Sequence, residues 1–488
     1  MPTTSRSSVG LRSERGPVLL SLMLSTALVA LDATIIATAS STIARELGSF
    51  DQVPWLFSTY LLAQAVSTPL FGRLADILGR KRLMLVGIGL FFVGSALAGA
   101  AWSMSALIAG RVVQGLGAGA VMPVSMTITS DIYTLEERAK TQGYLASVWG
   151  IASVVGPTLG GVFSEFVSWQ WIFWVNLPLA ALAALMLARR YHESSHQPTH
   201  EPIDYLGAAL LTGGSTLLLL GLLEGGNSWA WASAPSVAIF AAAVGLLVWF
   251  ALHGRRTAHP IVDLSILRRR VVGASTTVSL LVGVIVVGLS TYVPIYAQQV
   301  LGFGALLAGF ALAALTIGWP ISASNAGHLY LRIGFRLTAV IGSSLVVVGS
   351  GLMLLLGAGS SLVLVGAFCF VVGIGMGLTA VPTLIAAQTS AGATERGAVT
   401  GANMFARSIG SAVGVAVLGA IVNAHTTLGP DGTPQGDGVL TAMRLVFVAL
   451  AVVAVALLVA ACLMPADRHA AVERRRAQAA QESEPATA

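Results

Sequence analysis

Two charged side chains lie far inside hydrophobic runs of the sequence, where charge is rare. Asp32 is the only acidic residue well inside such a run, and Arg111 lies deep inside another. A charge at the centre of a bilayer costs about 2.5–3.5 kcal/mol on the insertion scale, so residues of this kind usually mark a proton, ion or substrate path. A carboxyl group can bind and release a proton, whereas a guanidinium keeps its charge and acts on a nearby acid. The pair therefore predicts proton-transfer chemistry.

Helical rise places the two charges at a similar depth. Counting ~1.5 Å per residue from Pro17, Asp32 lies roughly 22 Å from the start of its run, and Arg111 lies about 20 Å from the same side. Ser21 and Ser25 share a helical face with Asp32, so this face is expected to line a hydrated cavity. Two alternatives stay open: Asp32 held permanently by a structural partner, and Arg111 bonded to backbone carbonyl groups.

The elements that must position these residues are membrane-spanning helices. The chain has 488 residues, of which 55% are hydrophobic and only 10% charged, with a mean hydropathy of +0.82. An average soluble domain has about 25% charged residues, so this chain is predicted to be an integral membrane protein. About 20 apolar residues cross the ~30 Å hydrocarbon core. Fourteen such runs are present, at residues 17–38, 54–71, 83–101, 104–125, 143–163, 171–188, 205–224, 235–252, 271–298, 305–325, 337–357, 361–387, 398–422 and 439–463.

Positive charge is concentrated on one side of these fourteen spans. When the N-terminus is placed in the cytoplasm, 23 of the 27 Lys and Arg residues fall on the cytoplasmic side, as the positive-inside rule requires. The first run is too long for a signal-peptide core and should be retained. We therefore expect a multi-pass protein of the bacterial cytoplasmic membrane with both termini in the cytoplasm.

Composition argues against several other classes of protein. Lys81 and Lys140 are the only lysines, and neither follows the glycine pattern of a phosphate-binding loop, so no use of ATP is expected. The basic triplet at 474–476 suits anionic headgroups better than nucleic acid. No metal or cofactor is expected, and the ion that Asp32 can exchange is a proton. The expected partners are small hydrophobic substrates and membrane lipids, and the protein is expected to be monomeric.

Two parts of the chain carry the same pattern. Gly72 and Gly79 recur as Gly327 and Gly334 at an offset of 255, and a leucine follows two positions after the first glycine of each pair. Three alternating glycines before a proline also recur, in the fourth and twelfth spans. Six-helix units repeated in parallel are the plan of a rocker-type secondary transporter.

The repeat predicts a division of the chain into two related halves with an insertion between them. The expected parts are a cytoplasmic N-tail at 1–16, an N-terminal six-helix half at 17–191, two inserted helices at 205–252, a C-terminal six-helix half at 271–463 and a disordered cytoplasmic tail at 464–488.

Several motifs, in order along residues 17–463, resemble the major facilitator superfamily. Residues 72–82 resemble its loop signature, and 111–117 (Arg-Val-Val-Gln-Gly-Leu-Gly) resemble its fourth-helix motif. Gly150 and the segment 156–161 (Gly-Pro-Thr-Leu-Gly-Gly) resemble the fifth-helix motif of proton antiporters. Residues 31–35 (Leu-Asp-Ala-Thr-Ile) resemble the first-helix motif of the fourteen-helix drug:proton antiporters.

The chain also departs from that family pattern. Ala37, Ser40 and Ser41 stand where the first-helix motif usually has Asn and Leu-Pro, and Gln170 replaces a usual Arg. These changes leave Asp32 in place, while its solvation and the range of substrates stay open. The resemblance implies an all-α major facilitator fold with 14 transmembrane helices.

The motifs and the pattern of charges together assign candidate site residues. Proton coupling is expected at Asp32 and Arg111, and the loop is expected to act as a gate in which Asp76 accepts hydrogen bonds from the start of the thirteenth span near Gly397. Arg80 is expected to pair with Asp131. The gating set is Gly72, Asp76, Gly79, Arg80 and Asp131; the packing set of the antiporter motif is Gly150, Gly156, Pro157, Gly160 and Gly161; the substrate-cavity set is Ser25, Gln64, Gln114, Met122, Met126, Trp319 and Arg407.

These assignments predict a proton-coupled antiporter that exports hydrophobic small molecules, cationic drugs among the candidates. A dedicated exporter of an endogenous lipid, siderophore or antibiotic is the main alternative, and the sequence does not separate the two. A membrane-embedded enzyme is a remote alternative because the acids and histidine of the outer loops are scattered. For Arg407, a structural role and contact with substrate both stay open.

Overall fold

The computed structural model of this chain is an almost entirely helical bundle. It describes residues 10–47, 52–193, 204–225, 229–257, 260–261, 264–392, 394–428, 434–435 and 438–466. Most of the two predicted tails, 1–16 and 464–488, therefore lies outside the described residues.

Sixteen α-helices are present in the described part of the chain. They are α1 Gly16–Leu47, α2 Val53–Leu78, α3 Arg80–Gly99, α4 Met104–Ile132, α5 Leu135–Val162, α6 Trp171–Trp174, α7 Asn176–Arg190, α8 Tyr205–Glu224, α9 Ala234–Gly254, α10 Leu264–Arg268, α11 Arg270–Gln299, α12 Ala305–Ile333, α13 Phe335–Met353, α14 Leu362–Ser390, α15 Arg396–Asn423 and α16 Val439–Cys462. Two short strands, β1 Thr427–Leu428 and β2 Pro434–Gln435, pair antiparallel.

Each of the fourteen predicted spans coincides with a long helix, when α6 and α7 are taken together as the sixth. Thirteen of these are long and apolar enough to cross a membrane. The remaining one, α2, has 26 residues and is less apolar because polar residues such as Gln64 and Thr68 interrupt it. A fold of about fourteen transmembrane helices follows.

Several helices are longer than the apolar runs that predict them. The first run ends at residue 38, whereas α1 continues to Leu47. At the start of α5, Thr134 accepts a hydrogen bond from the Glu137 amide while the Glu137 side chain accepts from the Thr134 amide. This capping box lets the helix begin eight residues before the apolar run predicted at residue 143. An apolar run thus predicts only the part of a helix that crosses the hydrocarbon core. The capping residues of α5 determine where that helix begins.

Buried side chains form separate cores in the first and last parts of the bundle. One large cluster lies within α11–α16, where Tyr296 and Phe447 meet edge to face at 5.5 Å. Two other clusters lie within α1–α7, around Phe91 and Trp169. The two groups of helices meet along two seams, α2 against α15 and α5 against α12. The domain boundaries themselves stay predictions.

The two inserted helices pack on the outside of one seam. In α8, Leu219 joins a cluster with Val66 of α2 and Ala412 of α15, so α8 contacts both groups of helices. The next helix, α9, packs mainly on α8, where Gly214 lies against Leu247. Much of the surface of α9 is exposed, as lipid contact requires.

The backbone repeats a turn at the predicted offset of 255 residues. Gly79 joins α2 to α3 with φ +98°, and Gly334 joins α12 to α13 with φ +92°. Side chains disfavour this left-handed region, and glycine permits it. Each glycine lets one long helix follow another directly at the same end of the bundle. We call this end, where Arg80 and Arg396 also lie, the basic end.

Candidate functional site

Asp32 and Arg111 form an ion pair in the interior of the bundle. Arg111 Nη1 donates to Asp32 Oδ2 at 2.5 Å, and both side chains are at most 1% exposed. Gln114 binds both partners: its Nε2 donates to Asp32 Oδ1 at 2.7 Å, and its Oε1 accepts from Arg111 Nη1 at 2.7 Å. Both carboxylate oxygens of Asp32 are therefore hydrogen-bonded in a buried site.

The remaining groups around Arg111 come from α2. Its Nε donates to the carbonyl oxygen of Leu56 at 3.2 Å, and its Cζ lies 4.0 Å from the centroid of the Tyr60 ring. A cation over an aromatic face is stabilised by about 0.5–2 kcal/mol. Arg111 thus satisfies a backbone carbonyl and pairs with an acid at the same time, so the two readings of this residue are not exclusive.

Small residues allow these helices to come close enough for the network to form. A Cβ on Gly94 of α3 would lie 2.6 Å from Gln114 Cα, and a Cβ on Gly115 would lie 2.5 Å from the carbonyl oxygen of Tyr60. Such contacts are possible only where a side chain is missing on one helix. The glycines of the fourth-helix motif therefore bring α4 against α2 and α3 and hold Arg111 and Gln114 beside α1.

Two members of the predicted substrate cavity do not line an open space in the structure. Ser25 is fully buried and donates to the carbonyl oxygen of Ser21, while Ser21 donates to Ala183 of α7 at 2.9 Å. The expected hydrated face of α1 is therefore wrong for these serines, because helix packing covers it. Gln114 is also fully buried, and it belongs to the Asp32 network instead.

The other cavity candidates keep part of their surface exposed. Met122 and Met126 pack against the core of α1–α7 without being fully covered, and Gln64 is similarly half-buried. Trp319 and Arg407 lie on α12 and α15, with Arg407 Cζ 5.7 Å from the centroid of the Trp319 ring. The structure thus places candidates in both halves, and those of the C-terminal half lie side by side.

At the basic end, a carboxylate of α2 caps a helix in the other half. Asp76 Oδ1 accepts from the Gly397 amide at 3.1 Å, and Oδ2 accepts from the Ala398 amide at 2.9 Å. These are the first amides of α15, where unpaired N–H groups and the helix dipole favour an anion. The sequence predicts this contact, and its role in gating stays a prediction.

Asp76 lies beyond the apolar span 54–71, and its surroundings shift its protonation. Burial raises its pKa from an ordinary value of 3.8 to about 7, although Arg80 and the two amide hydrogen bonds act in the opposite direction. The carboxyl group is thus able to exchange a proton near neutral pH while the helices are in contact. We call Asp76 with the Gly397 and Ala398 amides the α2–α15 latch.

A chain of charges extends from the latch to the end of α4. Arg80 lies 3.1 Å from both Asp76 and Asp131, and Arg396 lies 2.9 Å from Asp131. The predicted pairing of Arg80 with Asp131 is therefore present. Arg396, which the sequence analysis did not single out, adds a link between the halves. Its position one residue before Gly397 was the available signal.

Two further contacts at the basic end escaped the sequence analysis. The side chain of Glu193 accepts from the amides of Arg80 at 2.8 Å and Lys81 at 3.4 Å, so it caps α3. Across the second seam, the Tyr330 hydroxyl donates to the carbonyl oxygen of Leu135 at 3.3 Å. No local spacing connects these partners, because they are more than 100 residues apart.

The glycines of the antiporter motif fall into unequal environments. A Cβ on Gly156 would lie 2.8 Å from Thr34 Cβ on α1, whereas one on Gly161 would meet nothing within 4 Å. Gly150 faces Pro320 of α12 at 3.8 Å, across the α5–α12 seam. Gly160 accepts a hydrogen bond from Ser164 at the π-helical turn that follows α5. The side chain of Pro157 lies outside the described part of the structure.

The fold and the site together define a class of protein. A multi-span helical bundle with a buried ion pair, and with the α2–α15 latch between its two groups of helices, is a membrane transporter rather than an enzyme.

The comparisons with known proteins agree. The model of the Major Facilitator Superfamily matches residues 22–415, and the chain belongs to this superfamily. The fourteen-helix drug:proton antiporter subclass is consistent with the helices described above.

The chain is similar to proteins named for multidrug resistance and transport. The chain is 32% identical over 404 residues to Multidrug resistance protein 3 of Bacillus subtilis, covering 83% of this chain and 79% of that protein. It is 32% identical over 420 residues to the Bacillus subtilis multidrug transporter protein MdtP, covering 86% and 77%. The crystal structure of the human organic anion transporter MFSD10 has the same fold, with a TM-score of 0.65 at 17% identity, over 92% of this chain and 99% of that one. The two Bacillus subtilis relatives support a membrane efflux transporter.

Proposed function

We propose that this protein is a proton-coupled antiporter that exports hydrophobic small molecules across a bacterial cytoplasmic membrane. The observation that supports the proposal is the buried network of Asp32, Arg111 and Gln114. We further propose that the basic end faces the cytoplasm with both termini, because 23 of the 27 Lys and Arg residues fall on that side.

The coupling step is the exchange of one proton at the Asp32 carboxyl group. Arg111 cannot lose its charge, so only the carboxyl changes its protonation within the pair. A proton that binds Asp32 neutralises the acid, breaks its charge-assisted contacts and leaves the guanidinium on Tyr60 and the Leu56 carbonyl. Loss of that proton restores the ion pair. The pair thus has two arrangements that alternation between outward and inward access can use.

The basic end supplies the gate for this cycle. Opening toward the cytoplasm requires Asp76 to leave the Gly397 and Ala398 amides and Arg396 to leave Asp131. Water can hydrate all five of these groups once they separate, which keeps the free-energy cost of opening low. A hydrophobic substrate is proposed to enter between the halves and to contact Gln64, Met122, Met126 and Trp319, which are partly exposed. Flexible methionines suit such a site because they adapt to different apolar shapes.

The available driving force is sufficient for export. One pH unit is worth about 1.4 kcal/mol per proton, and 100 mV is worth about 2.3 kcal/mol per charge. One proton can therefore support a gradient of about a few hundredfold for a neutral substrate. The names of the relatives support efflux, and the substrate range is proposed here from the half-buried apolar side chains alone.

The test measures proton flux and substrate flux together. Compounds from a panel of hydrophobic drugs are added outside liposomes that contain the purified protein. Each transported compound should enter the lumen in exchange for protons, which acidify the external medium. In detergent near neutral pH, substrate addition should release protons from the wild type and not from Asp32→Asn. Glu165→Gln, which removes an exposed acid at the turn after α5, is the control.

The outcomes separate the alternatives. Undiminished proton release from Asp32→Asn would contradict the coupling role and direct attention to another acid such as Glu165. Transport of one compound from the panel, with protons still released, would favour the dedicated exporter of an endogenous lipid, siderophore or antibiotic. Broad transport would support multidrug efflux.

A further inference from the structure

A second cation, half-buried, lies in the C-terminal half, away from the Asp32 network. Arg407 stands on α15, where its neighbours Phe405 and Ile409 pack toward α2 and α8. Its own carbonyl oxygen faces Gly283 of α11. The guanidinium extends instead toward Trp319 of α12, with 5.7 Å between Cζ and the ring centroid. The side chain therefore reaches into the space between α15 and α12, the two helices that form the seams with the N-terminal half.

No acid among the described residues of the C-terminal half pairs with Arg407. From residue 264 to 466 the sequence contains only Glu395, Asp431 and Asp437 as acids, and none lies within α11–α16. Glu395 is bound to Arg269 at 2.6 Å at the basic end. Among the described residues, none accepts a hydrogen bond from the buried Arg407 Nε. A guanidinium in a membrane interior is normally paired, and the described part of the chain gives this one no acidic partner.

The N-terminal half cannot supply that partner either. Asp32 is the only acid well inside its spans, and both of its oxygens are already bound to Arg111 and Gln114. Counting Asp32 as ionised, the three charges Asp32, Arg111 and Arg407 leave the interior with one excess positive charge. Protonation of Asp32 raises the excess to two. A cationic substrate would meet repulsion in both states.

The depth of Arg407 argues against a purely topological role. By helical rise, its Cα lies about 16 Å from the first residue of α15 at the basic end. A snorkelling side chain would point back toward that end. Trp319 is fourteen residues from the basic end of α12, or about 21 Å, so a guanidinium beside this ring points deeper into the bundle.

We infer that Arg407 and Trp319 form a substrate subsite for an amphipathic organic anion, with a carboxylate or sulfonate on the guanidinium and an aromatic or aliphatic body against the indole. The inference rests on the proposed export function and specifies its substrate class. A planar guanidinium offers parallel N–H donors that match a carboxylate. The sequence alone left cationic drugs among the candidates, and the charge inventory of the interior favours the opposite sign.

This subsite has a consequence for the energetics of transport. Export of a monoanion in exchange for one entering proton moves two charges in the direction that an inside-negative potential favours. Export of a monocation for one proton moves no net charge. Transport of the anion should therefore respond steeply to membrane potential, while the cation would respond only to the pH gradient.

The test uses probes that share one apolar body and differ in charge. Binding of pyrenebutyrate, pyrenebutanol and pyrenebutylammonium to the purified wild type in detergent is followed by pyrene fluorescence. We expect the wild type to bind the anion about tenfold or more tightly than the alcohol, as a charge-assisted hydrogen bond implies, and the cation most weakly. Arg407→Gln should reduce the anion-to-alcohol ratio to near one while affinity for the alcohol stays within about twofold.

Three further variants test the charge, a matched control position and the ring. Arg407→Lys retains the charge and should retain part of the preference for the anion. Arg444→Gln removes an exposed arginine of α16 and should leave the ratio unchanged. If Arg407→Gln does not fold, Trp319→Leu should weaken all three probes while keeping their order.

Several results would overturn the inference. They are equal affinities for the three probes in the wild type, a preference for the cation, an unchanged ratio in Arg407→Gln, and no binding of any probe. Displacement of pyrenebutyrate by millimolar sodium sulfate as effectively as by unlabelled decanoate would identify a site for any small anion and contradict the amphipathic assignment. This assay involves no proton flux, so failure of the coupling role of Asp32 would leave a charge preference intact, and the reverse also holds.

Discussion

Gly72 of α2 and Gly397 of α15 face each other across the seam between the two halves, with no space for a side chain on either. A Cβ built on Gly72 would lie 2.5 Å from the carbonyl oxygen of Gly397, and a Cβ on Gly397 would overlap the carbonyl oxygen of Gly72. This approach brings Asp76, one helical turn after Gly72, to the first amides of α15. The hydrogen bonds of Asp76 to α15 therefore depend on the close approach that the two glycines allow.

Gly72→Ala should hold the basic end apart. The added methyl group meets rigid backbone, so the helices must separate and the α2–α15 latch must weaken. We expect a several-fold lower transport rate and a larger distance between spin labels at Leu78 and Ser390, measured in a variant without Cys369 and Cys462. Gly89→Ala is the control, because a Cβ on Gly89 meets nothing within 4 Å. Equal effects of the two substitutions would contradict the prediction that the contact at Gly72 is needed for transport.

Asp76→Asn should lower the transport rate much more than substrate affinity. The carboxylate binds α15 at the basic end, so it biases the conformation without touching a substrate in the bundle interior. We expect turnover to fall by about tenfold or more while the dissociation constant changes by less than about threefold, which corresponds to under about 1 kcal/mol. Glu395→Gln breaks an ion pair with Arg269 that is 25% and 44% exposed, and should have little effect. Parallel losses of binding and turnover in purified Asp76→Asn would contradict the prediction.

The α2–α15 latch should also depend on pH, and the sign follows from the raised pKa of Asp76. Burial raises this pKa to about 7 in the closed arrangement, against 3.8 for an exposed carboxyl. The closed state therefore binds a proton more tightly than the open one. The stabilisation of the closed state by this proton is fully present below about pH 4 and is lost as the pH rises through about 7. Between pH 6 and pH 8, the label distance between Leu78 and Ser390 should shift toward the open value.

The control for this pH dependence is Asp76→Asn, which removes the titrating group. Its label distances should be the same at pH 6 and pH 8. A pH dependence that persists in the variant would assign the effect to another group at the basic end, and a shift toward closure at pH 8 in the wild type would reverse the sign.

Much of the fold follows from the sequence because bilayer thickness fixes the length of an apolar run. The fourteen runs coincide with fourteen long helices, and the offset of 255 residues recurs in the positive φ of Gly79 and Gly334. The contact of Asp76 with α15 was also predictable, since an acid at one helix end and a glycine-bearing helix start are complementary. Depth counting similarly placed Asp32 and Arg111 at one level.

What the sequence does not specify is how a helix is rotated about its axis. Ser21 and Ser25 are on the expected face of α1 relative to Asp32, yet α7 covers them, because nearly every position of α1 is apolar or small. The contacts of Glu193 and Tyr330 were not predictable either, because their partners are distant in the chain. Helices that are apolar on all sides carry little information about which neighbour covers which face.

The two ends of the antiporter motif should respond differently to the same substitution. Gly156→Ala places a methyl group against Thr34 of α1, whose hydroxyl lies 3.0 Å from the carbonyl oxygens of both Ala30 and Ala152. Overpacking of this kind costs about 1–3 kcal/mol. We expect a lower melting temperature in detergent and an increased proton leak in liposomes without substrate. Gly161→Ala, with no atom within 4 Å of its Cβ, should leave both properties unchanged, and equal leak in both variants would contradict a seal at Gly156.

The ring and the hydroxyl group of Tyr60 should have separable effects. The ring lies 4.0 Å from Arg111 Cζ, while the buried hydroxyl has no hydrogen-bond partner among the described residues. Tyr60→Phe keeps the ring under the cation and removes an unsatisfied polar group, which costs about 1–3 kcal/mol when buried. We expect Tyr60→Phe to be as stable as the wild type or more so and to export at the same rate. Tyr60→Leu removes the aromatic face and should lower both thermal stability and proton-coupled export. Loss of proton release in Tyr60→Phe, at unchanged stability, would instead place the hydroxyl on the proton path to Asp32.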